Sequence, residues 1–444
     1  MLLTGRIGPS LLRFAGPFMI ASFLQTLYGA VDLLVVGQFS GSASVSAVAT
    51  GSQVMMIITS VLMGLSTGGT VLIGRRIGED APKKAASAVG TLTVLFLLMA
   101  LAFTPLMLVF TDAAVALMAT PIEAVDAAEI YIRICSAGIP FIIGYNGVSA
   151  VFRGTGDSRT PVLFIGIACA ANILGDLLLV GAMHLGAAGA AAATIAAQGI
   201  SFLFSLIYIA RRGLVFPFSA RDIRMNGSDA AFIMKVGMPI ALQDTLVHFS
   251  FLAITAIINT LGVVASAAVG IAEKIMGFAF LPAGAFSSAV ATMAAQNIGA
   301  GYHRRAESSW KYAMLFSGVF GVLVCLAVQI VPGLLPSIFS KDAAVIKATG
   351  EYMRTYSIDC ILVSFVFCTN AYFSSYGRSI ISFAHSMAAT FAVRIPVTFL
   401  FSRVVTDSLL PMGWAAPMAS LVSIVICLAY LPKMRRETII IANV

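Results

Sequence analysis

Asp32 is the only charge in the run LYGAVDLLVVG (27–37). An acid placed inside such a run costs at least ~2.5 kcal/mol to insert into a bilayer, so it marks a functional candidate. Gln25, Tyr28 and Asp32 stand at i, i+3 and i+7, on one face of a helix. A second acid closes NILGD (172–176), where Asn172 and Asp176 form an i, i+4 pair. Thr194 and Gln198 make another such pair in the small-residue run GAAGAAAATIAAQ (186–198). Two carboxylates crowded in a low dielectric resist ionising together, so the pair can hold a proton. With the Asn172 and Thr194 oxygens it can equally hold sodium, a hard cation that prefers oxygen ligands. Entry of either ion lowers the negative charge and can release a bound cationic compound. The plainer reading is that both acids only hydrogen-bond neighbouring helices.

The elements that carry these residues are membrane spans. Of 444 residues, 59% are hydrophobic and 10% charged, against roughly 25% charged in soluble domains. Apolar runs long enough to cross a ~30 Å hydrocarbon core recur along the whole chain. They predict twelve helices near 11–39, 43–73, 86–110, 121–151, 159–182, 186–211, 231–260, 264–298, 308–333, 344–375, 380–402 and 412–432. Several exceed the minimum length, so tilt or bending is expected. Counted from the external ends of their spans, Asp32, Asp176, Thr194 and Asn172 fall at one level. Tyr131 lies near the outer end of the fourth span, and Asn146 lies deeper.

Charge fixes the expected orientation. Arg75, Arg76, Lys83 and Lys84 follow the second span, and Arg211, Arg212, Arg221, Arg224 and Lys235 follow the sixth. With Arg6, Arg13 and the groups after spans four, eight, ten and twelve, one side collects 20 of the 27 Lys and Arg. The positive-inside rule makes that side, and both termini, cytoplasmic. The basic groups are thus topology signals, and a nucleic-acid partner is not expected. The first apolar run has no small-residue cleavage site and reads as a retained anchor. The six cysteines sit singly in apolar spans without CxxC spacing, which suits core thiols rather than metal ligands.

Shifting the chain by 221 residues aligns it with itself. Gly41 falls on Gly262, Met55 on Met276, Tyr131 on Tyr352, Phe152 on Phe373 and Gly156 on Gly377. Each half then holds six spans, so the repeats run parallel, related by a pseudo-two-fold axis along the membrane normal. The domains expected are a six-helix lobe at 1–211 with the cation-coupling site, a cytoplasmic linker at 212–230, and a second six-helix lobe with a short tail at 231–444. Such duplicated bundles suit alternating access, with lobes rocking around a central cavity. A static helical scaffold or channel is the rival.

The second lobe does not repeat the acid pair, because Ala253 and Val393 stand where Asp32 and Asn172 would map. It offers instead Asp244 and His248 at i, i+4, adjacent Glu273 and Lys274, and Arg394. These opposite signs suggest internal salt bridges or a substrate-contacting patch. Pro17 and Pro239 occupy matching places in spans one and seven, one residue off register, and are hinge candidates. Pro140, Pro282 and Pro396 also fall inside predicted spans, where kinks are expected.

These residues resemble the multidrug and toxic compound extrusion (MATE) family. The resemblance rests on Pro17 with VDLLVVGQFSG (31–41), RRIGED (75–80), FRGTGDSRTP (152–161), NILGD (172–176), GAAGAAAAT (186–194), AQNIGAG (295–301) and VRIP (393–396). It implies a V-shaped bundle of two lobes and efflux of amphipathic, often cationic compounds against sodium or protons. In the prokaryotic branch with an N-lobe ion site, Asp32 matches the first-span aspartate, Asn172 and Asp176 the fifth-span pair, and Thr194 the sixth-span threonine. Tyr131 and Asn146 match polar positions of the same network. The branch with an acid further along span seven is not matched, because Val247 and His248 stand there.

The sequence therefore points to an all-α polytopic protein of the cytoplasmic membrane, working as a monomer. It would export small organic compounds against sodium or protons with no cofactor. A lipid-linked precursor flippase would favour about fourteen spans and a cationic cavity; export of a single specific metabolite is another alternative. ATP hydrolysis lacks its GxxxxGK[ST] loop. Intramembrane catalysis lacks a metal cluster or a nucleophile paired with a base.

Overall fold

In a computed structural model of the chain, residues 2–118, 120–405 and 408–442 are described, with side chains as far as 437. Every regular element among them is helical. Hydrocarbon offers no partner to a free backbone N–H or C=O, so apolar segments satisfy these groups internally by coiling. In chain order the helices are α1 (Ile7–Phe39), α2 (Ser42–Gly78), α3 (Pro82–Val109), α4 (Thr111–Leu117), α5 (Val125–Ala137), α6 (Ile139–Thr155), α7 (Arg159–Asp176), α8 (Gly186–Arg212) and α9 (Gly227–Asn259). There follow α10 (Val263–Ala279), α11 (Leu281–Gly299), α12 (His303–Ile330), α13 (Pro336–Phe339), α14 (Ala343–Tyr356), α15 (Asp359–Ser375), α16 (Ser379–Ala389), α17 (Ile395–Val404) and α18 (Ala415–Ala442).

Ten helical segments among the described residues are long and apolar enough to span a membrane. Two bent pairs, α5 with α6 and α14 with α15, bring the number to twelve. The predicted fourth and tenth spans are therefore each two helices meeting at 48°. In the first half the break falls at Gly138, and Pro140 sits in the opening turn of α6. A Cβ on Gly138 would come within 2.3 Å of the Ile195 side chain, so the bend rests directly on α8. Pro282 and Pro396 likewise lie in the first turns of α11 and α17, where the missing N–H has no intrahelical partner to lose. Pro17 and Pro239 are different: they lie within the continuous helices α1 and α9.

The repeat also shows in the backbone. Gly156 and Gly377, one repeat apart, both take left-handed φ angles, of 89° and 73°. Gly156 ends α6 by donating its N–H to carbonyls of the last turn. Asp157 then receives the N–H groups of Arg159 and Thr160 at 2.9 and 3.0 Å, starting α7. FRGTGDSRTP is thus a helix stop followed at once by a side-chain-capped start.

By its contacts the chain divides into two compact units, Gly16–Ala241, and Leu2–Ala15 together with Leu242–Val444. The helices α1 and α9 each begin in one unit and end in the other, and the changes fall beside Pro17 and Pro239. The segment 212–230 goes with the first unit. Thr91 of α3 donates to the Arg224 carbonyl at 3.3 Å and accepts from the Asn226 N–H at 3.1 Å. Arg76 and Ser87 both bind Asp229, at 3.1 and 2.9 Å. The start of the chain is held in the second unit, where Arg305 donates to the Thr4 carbonyl at 3.0 Å.

Each unit has its own core. In the first, Val36, Leu62, Ile73, Ile132 and Ile139 are fully buried. In the second, Ile258, Met276, Met353 and Tyr356 are. Outward side chains such as Leu97, Leu101, Leu323 and Val425 are large, apolar and exposed, as a surface facing acyl chains requires.

Candidate functional site

Asp32 projects from α1, in the part that belongs to the first unit, and is 6% exposed. Asp176, the last residue of α7, is fully buried. The two carboxyl groups lie within hydrogen-bonding reach of each other. From Leu177 to Ala182 the chain widens into π-helical turns, so Asp176 stands where the regular α-helix gives way. Such insertions free or re-aim local groups, and they are frequent at functional sites.

Asn172, one turn earlier and also buried, donates its Nδ2 to Thr194 Oγ1 of α8 at 3.3 Å. That orientation turns Asn172 Oδ1 away from the bond. Among the described residues, no donor reaches Asn172 Oδ1, Asp32 Oδ1, or either carboxyl oxygen of Asp176. A buried group made of acceptors alone is unfavourable until something positive joins it. A shared proton would turn the facing carboxyls into a donor and an acceptor. A sodium ion would find two carboxyls, an amide oxygen and a hydroxyl oxygen close by. The donor set fits either ion as transported cargo.

Of the remaining predicted residues, Tyr28 and Tyr131 lie near Asp32. Gln198 Nε2 donates to Tyr28 Oη at 3.4 Å, tying α8 to α1. Tyr131 is buried, and its hydroxyl bonds Ser52 Oγ of α2 at 3.2 Å. Asn146 is buried too, yet its Nδ2 donates to the Ile142 carbonyl of its own helix at 2.8 Å. Gln25 is exposed and makes no hydrogen bond among the described residues. Sequence reasoning passed over Gly51 and Ser52. A Cβ on Gly51 would lie 2.2 Å from the Tyr131 ring, so this glycine makes the slot the ring fills. The small-residue composition of α2 was the available signal, but it does not point to one position.

In the second unit, only part of the predicted cluster comes together. Arg394 Nη2 lies 3.8 Å from Glu273 Oε1. Tyr356 joins them, donating to Glu273 Oε2 at 3.3 Å and accepting from Arg394 Nη2 at 3.5 Å. The guanidinium also stacks 4.1 Å above the Phe251 ring, a cation–π contact available to arginine's flat head. Asp359, buried near Arg394, bonds Ser420. Lys274 points outward, while Asp244 and His248 are half-buried. None of these three forms a hydrogen bond or ion pair among the described residues. Neighbours in sequence, Glu273 and Lys274 project from different faces of α10, and this separates them.

The architecture and its buried ionisable groups define a multi-pass helical membrane protein of two related units. The MatE family model matches residues 17–178 and again 239–400, once in each half. The chain belongs to that family, whose members are membrane transporters of small organic compounds and not enzymes. It is similar to a probable multidrug resistance protein, YpnP, of Bacillus subtilis, with 28% identity over 398 residues, covering 90% of this chain and 89% of that protein. It is also similar to a protein named FAD transporter in Shewanella oneidensis, 24% identical over 380 residues, covering 84% of each. In fold it resembles a crystal structure of MATE in complex with MaL6, with a TM-score of 0.91, 23% identity, and coverage of 98% of this chain and 97% of that one.

Proposed function

We propose that this protein is a secondary antiporter that exports small amphipathic organic compounds, cationic ones among them, by alternating access. Sodium or protons flowing inward drive it through Asp32 and Asp176, with Asn172 and Thr194 completing the ion site. In this reading the chain works as a monomer in the cytoplasmic membrane, with both termini on the cytoplasmic side. The observation that carries it is that two buried carboxyls lie within hydrogen-bonding reach of each other, beside acceptor oxygens that no donor meets among the described residues.

The physical cycle follows from charge. Without an ion, the acid pair keeps negative charge in a low dielectric, and this attracts a cationic substrate. An entering ion cancels part of that charge and weakens the attraction. Since the two states of the site differ in charge, ion binding can bias a conformational equilibrium by the difference in its affinity for them. A membrane potential adds roughly 2.3 kcal/mol per charge per 100 mV when the exchange is electrogenic.

The deciding experiment is efflux of ethidium from proteoliposomes under sodium and pH gradients imposed separately. Efflux driven by one gradient and absent in Asp32→Asn supports the reading. Full gradient-driven efflux in that variant overturns the coupling role. A narrower reading, export of one anionic metabolite, takes support from the relative named FAD transporter. Competition of flavin nucleotides with ethidium distinguishes it.

A further inference from the structure

Away from the acid pair, the first unit contains a partly enclosed cavity of about 370 Å³ between α3, α6 and α8, closed at one end by the segment after α8. Its walls are apolar, with Leu92, Phe96, Ile143, Val148, Phe202 and Ile223 among them. Cavities that hold small ligands run from ~300 to 1,000 Å³. Leu97 and Leu206, which also line it, are 58% and 43% exposed, so the slot opens on an exposed apolar face of the unit.

The end wall is fixed. Leu214, Phe218 and Ile223 supply it from the segment after α8. A Cβ on Gly90 would sit 1.8 Å from the Asp222 carbonyl oxygen, so the segment lies flat against α3. Arg211, Arg212, Arg221 and Arg224 flank these wall residues and are all exposed. None forms an ion pair among the described residues. The nearby acids are engaged elsewhere: Asp222 accepts from the Ser219 N–H at 2.7 Å, and Asp229 binds Arg76. An apolar slot thus ends under a lip of four exposed cations that form no ion pair among the described residues.

We propose that this slot binds an anionic glycerophospholipid, with an acyl chain in the cavity and the phosphate on Arg212, Arg221 and Arg224. The inference rests on the segment 212–230 lying at a membrane surface, and it is independent of which ion or substrate is transported. The one polar side chain lining the slot among the described residues, Thr93, spends its hydroxyl on the Val89 carbonyl of its own helix at 2.9 Å, whereas the basic lip attracts anionic headgroups. Bound there, the lipid would brace α3 against α8 through the segment that leads into α9.

Native mass spectrometry of the full chain tests this, with phosphatidylglycerol or phosphatidylcholine supplied in detergent. One phosphatidylglycerol retained per chain, in preference to phosphatidylcholine, is the expected result. Arg212→Gln/Arg221→Gln/Arg224→Gln is expected to weaken retention roughly a hundredfold, at about fivefold for each cation near an anionic surface. Val148→Phe, which fills the slot, is expected to abolish retention while leaving the lip intact. Equal retention of the zwitterionic lipid overturns the proposal, as does unchanged retention in the arginine variant. If Val148→Phe does not yield a monodisperse protein, the arginine variant alone decides. Displacement of the lipid by ethidium in a Val148-sensitive way would mark the slot as a substrate subsite and overturn the lipid assignment.

Discussion

Asp32 and Asp176, from helices four spans apart in the chain, present their carboxyl groups to each other in the interior of one unit. Burial and mutual proximity both work against two negative charges there, and nothing basic pairs with either acid among the described residues. A resting ion pair is therefore excluded as the reason for their burial. In the antiport proposed above, the pair is satisfied by an ion that arrives and leaves.

Replacing either acid by its amide separates structural from coupling roles. Asp32→Asn gives Asp176 a permanent neutral donor, which a buried acceptor gains by about 1 kcal/mol. The variant is expected to express, and to melt in detergent at or slightly above the temperature of the parent. Gradient-driven ethidium efflux is expected to fall to background, because one charge state has been lost. Thermal unfolding and proteoliposome efflux, measured on the same preparation, check both outcomes.

Thr194 has a narrower task. Its hydroxyl receives the Asn172 amide, and this leaves Asn172 Oδ1 directed away from the bond. Thr194→Val strands a buried amide donor, at a cost of about 1–3 kcal/mol, and frees Asn172 to turn. The half-saturating concentration of the driving ion is expected to rise roughly tenfold for ~1.4 kcal/mol lost. Thr194→Ser should restore most of it. Equal ion dependence in the valine and serine variants would remove Thr194 from the site.

Much of this site was legible in advance because intramembrane charge is rare and expensive. Asp32, Asn172, Asp176 and Thr194 stood out against apolar backgrounds, and helical spacing put each on a definite face. The apolar runs located both bent spans and the 221-residue repeat aligned one with the other, although the bends themselves needed the structure. What the sequence hid was partner choice. Glu273 sits beside Lys274 in the chain yet pairs with Arg394, because adjacent helical residues diverge by about 100°. Tyr356, which bridges that pair, looks in sequence like any interfacial tyrosine. The Gly-, Ala- and Ser-rich second span predicts a close helix approach, but not that Gly64 and Gly68 make it or that α9 is the partner.

That approach gives a stability prediction. Gly64 and Gly68, one turn apart on α2, press against Gly237, Ile233 and Ala241 at the start of α9, within the first unit. A Cβ on Gly64 would lie 2.5 Å from the Ala241 nitrogen, and one on Gly68 2.5 Å from the Ile233 carbonyl oxygen. Both obstacles are backbone, so no side chain can rotate away. Small residues spaced in this way let helices in lipid gain packing contacts. Gly64→Val is expected to destabilise the first unit by about 1–3 kcal/mol or more, lowering the melting temperature in detergent. Gly166→Val, at a position with open space around its Cβ, is the control and should melt near the parent.

The second unit offers a test of charge pairing within the membrane. Glu273 and Arg394 are held with Tyr356 in one hydrogen-bonded group, and Phe251 covers the guanidinium. Removing one partner strands the other's charge in a low dielectric, which costs about 3–5 kcal/mol in buried pairs. Arg394→Met should therefore lose most of its folded yield, read as monodisperse protein on size exclusion. Glu273→Gln/Arg394→Met removes both charges while leaving a side chain that Tyr356 can still meet, and its yield should recover. If the group serves only packing, the double variant should also regain gradient-driven efflux. If Arg394 or Glu273 meets the substrate, the double variant will fold yet transport with a raised half-saturating ethidium concentration. Folding and transport thus answer separately for the same two residues.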